Sequence, residues 1–418
     1  MGGLGLFGFA RGTAAPFYIP ILVHSFGEAM VLKALLKLAV VIVVILLLLA
    51  AAGSYLRKHH GSIAPSTTVA TSSVQANVTT TVIEALINAF GPCSDNNTVS
   101  GFSCGYMAQQ AAAWQPFQNN SVGWAVNMQA VGYDGVLTVN LQDAEAELSM
   151  LNSTGASCVR IDMGYDAWLL NYTSAQDNMT AIVNQIRKDG KCLIIADASA
   201  EYYRHHQLPW TQFKAAWVQR VTTLAKLYHP DYYIVVKEPG WYYPMIQNYR
   251  LNPQVFAASQ WNNLTVQLAD AVHNVSPNTK IGVAVPGESL QYQNIENYLA
   301  NVTRMPQVSF IGFDVYGSGD LGYSLAFLDN YGSNGKQVWI TETWDNVNGP
   351  VDTPQQKVLD SYYMVFAYFL AQHMNATVVI PFFTDSFSSY TEPANYSNHT
   401  PVYYVFKQLV ARYGKQIT

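Results

Sequence analysis

The chain has 418 residues, half of them apolar, so it can bury a large core. Charged residues make up only 12% and the net charge is −5, against roughly a quarter charged in a typical soluble domain. The densest basic block is Arg57-Lys58-His59-His60, too little for phosphate binding, so nucleic acid is excluded as an expected partner.

Residues 1–33 read as a cytoplasmic or spurious N-terminal segment. The run 34–53 carries one charge, Lys37, over about 20 residues, enough to cross a hydrocarbon core of roughly 30 Å. Lys33 and Lys37 precede the apolar stretch and Arg57 and Lys58 follow it, so flanking charge does not fix its orientation. A second reading is a secretory signal opening at Met30, with Ala50-Ala51-Ala52 as its small-residue cleavage site. Both readings export the remainder, either secreted or tethered to the cell membrane by an uncleaved helix. Residues 54–76, rich in Ser, Thr, Ala and Val, read as a flexible stalk. Twelve Asn-X-Ser/Thr sequons between Asn77 and Asn398 point to a glycosylated outer face.

Residues 77–132 form a lead-in with a helix expected near 78–90, a polar loop between Cys93 and Cys104, and an aromatic segment carrying Trp114, Phe117 and Trp124. Four cysteines, with Cys158 and Cys192, suit an oxidising compartment. A Cys93–Cys104 bridge is the first expectation, while Cys158 and Cys192 either pair or stay buried thiols. No spacing favours a metal site, and no cofactor is expected.

From residue 133 the pattern alternates. Strands are expected at 136–141, 159–163, 192–196, 233–236, 281–285, 310–315, 338–341 and 377–382, with helical periodicity between them. Phe213, Trp217, Val221, Leu224 and Tyr228 share one helical face, which Thr211 is placed to cap. Thr353-Pro354 reads as a cap followed by proline at the first helical position. Eight strand–helix repeats predict a (β/α)8 barrel over 133–418. An open dinucleotide-binding sheet is disfavoured, since no Gly-x-Gly-x-x-Gly follows the first strand.

Two strands finish on carboxylates: Tyr-Tyr-Ile-Val-Val-Lys-Glu-Pro ends at Glu238-Pro239, and Val-Trp-Ile-Thr-Glu-Thr-Trp places Glu342 after strand seven. Desolvating an unpaired charge is costly, so a buried strand ending this way asks for a function. Barrel enzymes carry catalytic groups at these strand ends, and two facing carboxylates are what cleaving a glycosidic bond requires.

At Val-Val-Lys-Glu-Pro-Gly-Trp (235–241) and Trp-Ile-Thr-Glu-Thr-Trp (339–344) the chain resembles the retaining glycoside hydrolases of clan A. The resemblance implies Glu238 as acid/base, Glu342 as nucleophile, and a β-linked oligo- or polysaccharide as substrate. It further implies that Arg160 orients the nucleophile and that Tyr316 hydrogen-bonds it. The family usually has Asn where Lys237 stands, and often ends strand eight on Trp where this chain has Pro381-Phe382-Phe383. Lys237 is then either a sugar contact or a counter-ion for Asp162 or Asp197, and its charge would favour an ionised Glu238. Trp241 and Trp344, with Trp168, Tyr202, Tyr242 and Phe383, are placed to stack on sugar rings, and His205 and His206 to reach substrate. The alternative function is a non-catalytic glycan-binding or structural surface protein on the same barrel. A surface poor in charge also predicts stability in acid.

Overall fold

The computed structural model describes residues 102–114, 120–129, 141–163, 173–197, 208–239, 257–346, 352–388 and 396–418. The chain divides into units Met1–Thr71 and Ser72–Thr418, and every described residue belongs to the second. The span expected at 34–53, the stalk and the helix near 78–90 lie outside the described residues. Among the described residues no helix is long and apolar enough to cross a membrane.

Eight parallel strands form the barrel: β1 (Val122–Asn127), β2 (Cys158–Met163), β3 (Cys192–Asp197), β4 (Tyr232–Lys237), β5 (Lys280–Pro286), β6 (Phe310–Val315), β7 (Gln337–Thr343) and β8 (Val378–Pro381). They pair in sequence from β2 to β8, and β1 closes the ring by pairing with both β8 and β2. A two-residue strand, β9 (Gly414–Lys415), also pairs with β1. The helices are α1 (Cys104–Ala113), α2 (Leu141–Ser153), α3 (Thr173–Lys188), α4 (Trp210–Tyr228), α5 (Ala258–Val275), α6 (Gln293–Val302), α7 (Ser318–Tyr331), α8 (Pro354–His373) and α9 (Pro401–Tyr413).

Seven strands fall where expected, and the first is a correction. The barrel opens with β1 at Val122–Asn127, inside the segment read as lead-in, so it begins earlier than residue 133. Of the expected strand 136–141, Leu141 starts α2, and the rest lies outside the described residues. Because one first strand replaces another, the numbering of β4 and β7 is unaffected.

The core has two layers. Between sheet and helices, α4 buries Phe213, Trp217, Val221, Leu224 and Tyr228, as its period requires. At about 1.5–3 kcal/mol per large apolar side chain, this face contributes on the order of 10 kcal/mol before conformational entropy is subtracted. The cap differs from expectation: Pro209 precedes the helix and Thr211 lies inside its first turn. At α8 the expectation holds, since the Thr353 hydroxyl accepts from the Gln356 amide and Pro354 opens the helix. Inside the barrel, Phe310 stacks on Trp339 with ring centres 3.9 Å apart, and Tyr232 tilts against Trp339 at 5.0 Å. Cys158 and Cys192, opposite one another on β2 and β3, form a disulfide. Cys104 is disulfide-bonded too, and Cys93 lies outside the described residues.

Two irregularities aim the site. The pairing of β4 with β5 shifts between Ile234 and Val236, and that of β7 with β6 shifts so that Phe313 faces Ile340 but Asp314 faces Glu342. One extra residue on a strand reverses which later side chains point inward. Tyr232, Ile234 and Trp339 line the interior below these bulges. Above them Lys237 and Glu342 turn inward, while the Thr343 hydroxyl bonds outward to the Val315 carbonyl and to Tyr363 of α8.

Candidate active site

Six ionisable groups meet at the C-terminal end of the barrel. From β2 come Arg160 and Asp162, two residues apart and therefore on one side of the strand. From β4 come Lys237 and, one residue past the strand, Glu238. From β6 comes Asp314, and from β7 Glu342. Carboxylate oxygens of Glu238, Asp314 and Glu342 lie within 4.8 Å of one another, so the two glutamates converge across the barrel mouth.

Glu342 is 2% exposed and held on both oxygens. Arg160 Nη2 and Lys237 Nζ donate to Oε1, Lys237 at 2.7 Å, and the Tyr316 hydroxyl donates to Oε2 at 2.8 Å. The same cations grip Asp162, with Arg160 at 2.6 Å and Lys237 at 3.2 Å from Oδ1. Burial pushes the Asp162 carboxyl up, but the two cations outweigh it and hold the group below its ordinary range. Arg160 also donates to the Thr341 carbonyl at 2.5 Å, and both cations lie over the Phe382 ring, 5.7 and 5.3 Å from its centre.

Two buried cations thus neutralise two buried carboxylates, and two further carboxyls are left over. Among the described residues neither Glu238 nor Asp314 has an ion pair. Burial raises Glu238 to about 7, helped by Glu342 and Asp162 against Lys237 and Arg160. Lys237 favours the ionised form of Glu238, as expected, but desolvation is the larger effect. Asp314, 1% exposed, is pushed well above the carboxylate range by burial and then by Glu342 and Glu238. Glu238 adopts φ +51° and donates its backbone N–H to the Ala284 carbonyl at 2.9 Å. For a non-glycine residue this left-handed conformation costs on the order of 1–3 kcal/mol, a strain found mainly at functional sites.

The structure brings together Glu238, Glu342, Arg160, Lys237 and Tyr316. As a counter-ion Lys237 serves Asp162 and Glu342; Asp197 is bound instead by Arg220 at 3.0 Å and by the Tyr233 hydroxyl at 2.8 Å. Trp344 is a correction. Its side chain is 0% exposed and meets Phe383 edge-on, so it packs in the core and offers no face to a sugar. Trp241 and His205, with Trp168, Tyr202, His206 and Tyr242, lie outside the described residues. Asp314, which shares its strand side with Tyr316 two residues on, joins the site beside the two glutamates. The three clustered carboxylates are spaced as cation ligands can be, yet Arg160 and Lys237 already neutralise Glu342, and burial favours protons on the other two. This donor set suits hydroxyl groups better than a divalent ion.

No family model and no curated protein matches the sequence. Solved structures do. The β-glucosidase from Thermotoga maritima in complex with castanospermine aligns with a TM-score of 0.52 at 11% identity, covering 72% of this chain and 99% of that one. The family 1 β-glucosidase from the same organism gives 0.51 at 10% identity, with the same coverage. The chain has the fold of these clan A enzymes. The barrel implied by the sequence resemblance is the barrel observed.

Proposed function

We propose that the chain is a retaining β-glycosidase acting on a β-linked oligo- or polysaccharide outside the cell. The observation that carries this reading is the convergence of Glu238 and Glu342 to within 4.8 Å, with Glu342 bonded to two cations and Glu238, among the described residues, to none. Retaining glycosidases separate their carboxyls by roughly 5–5.5 Å, one protonated to donate to the leaving oxygen and one ionised to attack. Glu238 is the acid/base, kept protonated up to about pH 7 by burial. Glu342 is the nucleophile, positioned by Arg160, Lys237 and Tyr316 through three bonds that leave its carboxylate little freedom. After glycosyl transfer to Glu342, the now ionised Glu238 takes a proton from the water that releases the sugar. The likeness to a β-glucosidase that binds castanospermine supports a sugar as ligand.

Export is supported by the oxidised Cys158–Cys192 pair and by the sequons. Asn263, Asn274, Asn301, Asn375 and Asn398 are exposed, leaving these five open to modification. Whether the barrel is secreted or anchored depends on residues 34–53.

The test is hydrolysis of a panel of β-linked glycans, with the first-formed anomer read by NMR. Retention of β configuration is expected, and E342Q should lower turnover by more than about 1,000-fold without unfolding the barrel. A second reading, glycan binding without turnover, is favoured by one observation: Lys237 is bonded directly to Glu342 Oε1. It requires saturable binding by wild type with no product.

A further inference from the structure

We infer that Asp314 is a third carboxyl of the site, acting as a neutral hydrogen-bond donor to a substrate hydroxyl held between Glu238 and Glu342. The inference rests on the glycosidase reading and adds a residue to it.

The geometry comes first. Oxygens of Glu238, Asp314 and Glu342 lie within 4.8 Å of one another. For any such triangle some point lies within about 2.8 Å of all three corners, a normal O–H···O distance. One hydroxyl oxygen can therefore touch all three groups at once. The placement is built in, because Asp314 stands opposite Glu342 in the β6–β7 register, directly after the bulge that turns Glu342 inward.

The hydrogen bonds come second. Asp314 Oδ1 accepts from the Thr341 hydroxyl at 2.7 Å, which fixes the carboxyl plane. Oδ2 is buried and, among the described residues, has no partner. A buried polar atom left unpaired costs roughly 1–3 kcal/mol, so its retention in a substrate site points to a partner that arrives with the substrate.

The protonation state comes third. The charged groups facing Asp314 are Arg160 from β2, Lys237 and Glu238 from β4, and Glu342 from β7, with the Tyr316 hydroxyl above it on its own strand. Both cations are engaged by Asp162 and Glu342. Ionising Asp314 would add a third negative charge beside two cations already engaged, and burial and the two glutamates oppose it. A protonated carboxyl donates, whereas an ionised one only accepts. A donor on the attacking water would weaken that nucleophile, so its useful target is a sugar hydroxyl. A preorganised donor in a dry site is worth about 100-fold or more in rate.

The experiment compares wild type, D314A and D314N on an aryl β-glycoside and on its deoxy analogues, each lacking one hydroxyl. D314A should lose about 100-fold in kcat/KM on the parent but no more than about twofold on the one analogue that lacks the contacted hydroxyl. D314N, whose amide donates without titrating, should recover at least tenfold of that loss. Equal losses by D314A on every analogue would mean a structural role only and overturn the inference, as would a D314N variant as inactive as E342Q. Infrared difference spectra of wild type against D314N at pH 7 should show the carbonyl band of a protonated, buried carboxylic acid. Lack of that band overturns the inference whatever the turnover. Absence of hydrolysis by wild type, with the band present, removes the glycosidase reading instead.

Discussion

Replacing Lys237 by Met tests the charge balance on which the site depends. The ammonium lies 2.7 Å from Glu342 and 3.2 Å from Asp162, and its side chain is 0% exposed. Met fills most of the same volume, so the principal loss is one positive charge. Among the described residues Arg160 is then the sole cation paired with these two buried carboxylates. An ion pair broken on one side inside a protein costs about 3–5 kcal/mol. With an unfolding entropy of about 2 cal/mol/K per residue over a barrel of roughly 300 residues, that lowers Tm by about 5–8 °C.

The pH dependence gives the sharper test. Asp162 is held below its ordinary range by Arg160 and Lys237. A carboxyl with a depressed folded-state value contributes stability above its unfolded value and loses that contribution as pH falls. In K237M one of the two cations is gone while burial still pushes the carboxyl up, so Asp162 takes a proton at a higher pH than in wild type. The deficit is full at pH 8 and shrinks as pH falls through the variant's higher value toward pH 4. Calorimetry of both proteins at pH 8, 6 and 4 measures it. Equal Tm at pH 8, or a deficit that does not change with pH, would refute the reasoning.

Because Glu238 is raised to about 7 and must be protonated to act as the acid, kcat/KM should fall about tenfold per pH unit above pH 7, read from initial rates. Removing the Cys158–Cys192 bridge as a double Ala variant should cost about 3–4 kcal/mol in denaturant unfolding, from the 34-residue separation it closes. Asp345 and Asp360 are both fully buried and share the Gln356 amide, at 2.5 and 2.8 Å. Burial and then Asp360 raise Asp345 well above the carboxylate range. The folded state therefore holds a proton the unfolded chain releases above about pH 4, and stability falls as pH rises through that window. D345N should flatten this slope in thermal melts between pH 5 and 8.

The barrel was legible because seven strands are short apolar runs between helical periods, and the two glutamates because a strand ending on a carboxylate conflicts with its own burial. The first strand was not. Val-Gly-Trp-Ala-Val-Asn carries a glycine, which counts against a strand by propensity. Gly123 is there because a Cβ would stand 2.6 Å from the Ile417 side chain and 3.2 Å from the Thr377 carbonyl, contacts with the far end of the chain. The direction of Glu342 was equally hidden. Strict alternation from Trp339 points Thr341 inward and Glu342 outward, and only the bulge reverses it. For Trp344, nearness in sequence suggested nearness to substrate, but the indole turns into the core beside Phe383.

The site and the rest of the interior lean the same way with pH. Glu238 is raised to about 7 and Asp320 to about 6, the latter by burial against backbone N–H groups of Glu288 and Tyr316. Asp314 and Asp345 are raised further. Against these four, Asp162 is lowered. Groups of the raised kind leave the fold most stable where they are protonated, and each loses that contribution as pH rises from about 4 through its raised value. The low surface charge read from composition reduces the repulsion that normally unfolds proteins in acid. Interior and surface therefore act together. The arrangement that keeps Glu238 protonated for catalysis also places the most stable form of the barrel on the acid side of neutrality. The stability contribution of Glu238 is lost as pH rises from about 4 to about 7, and its activity as an acid falls above that.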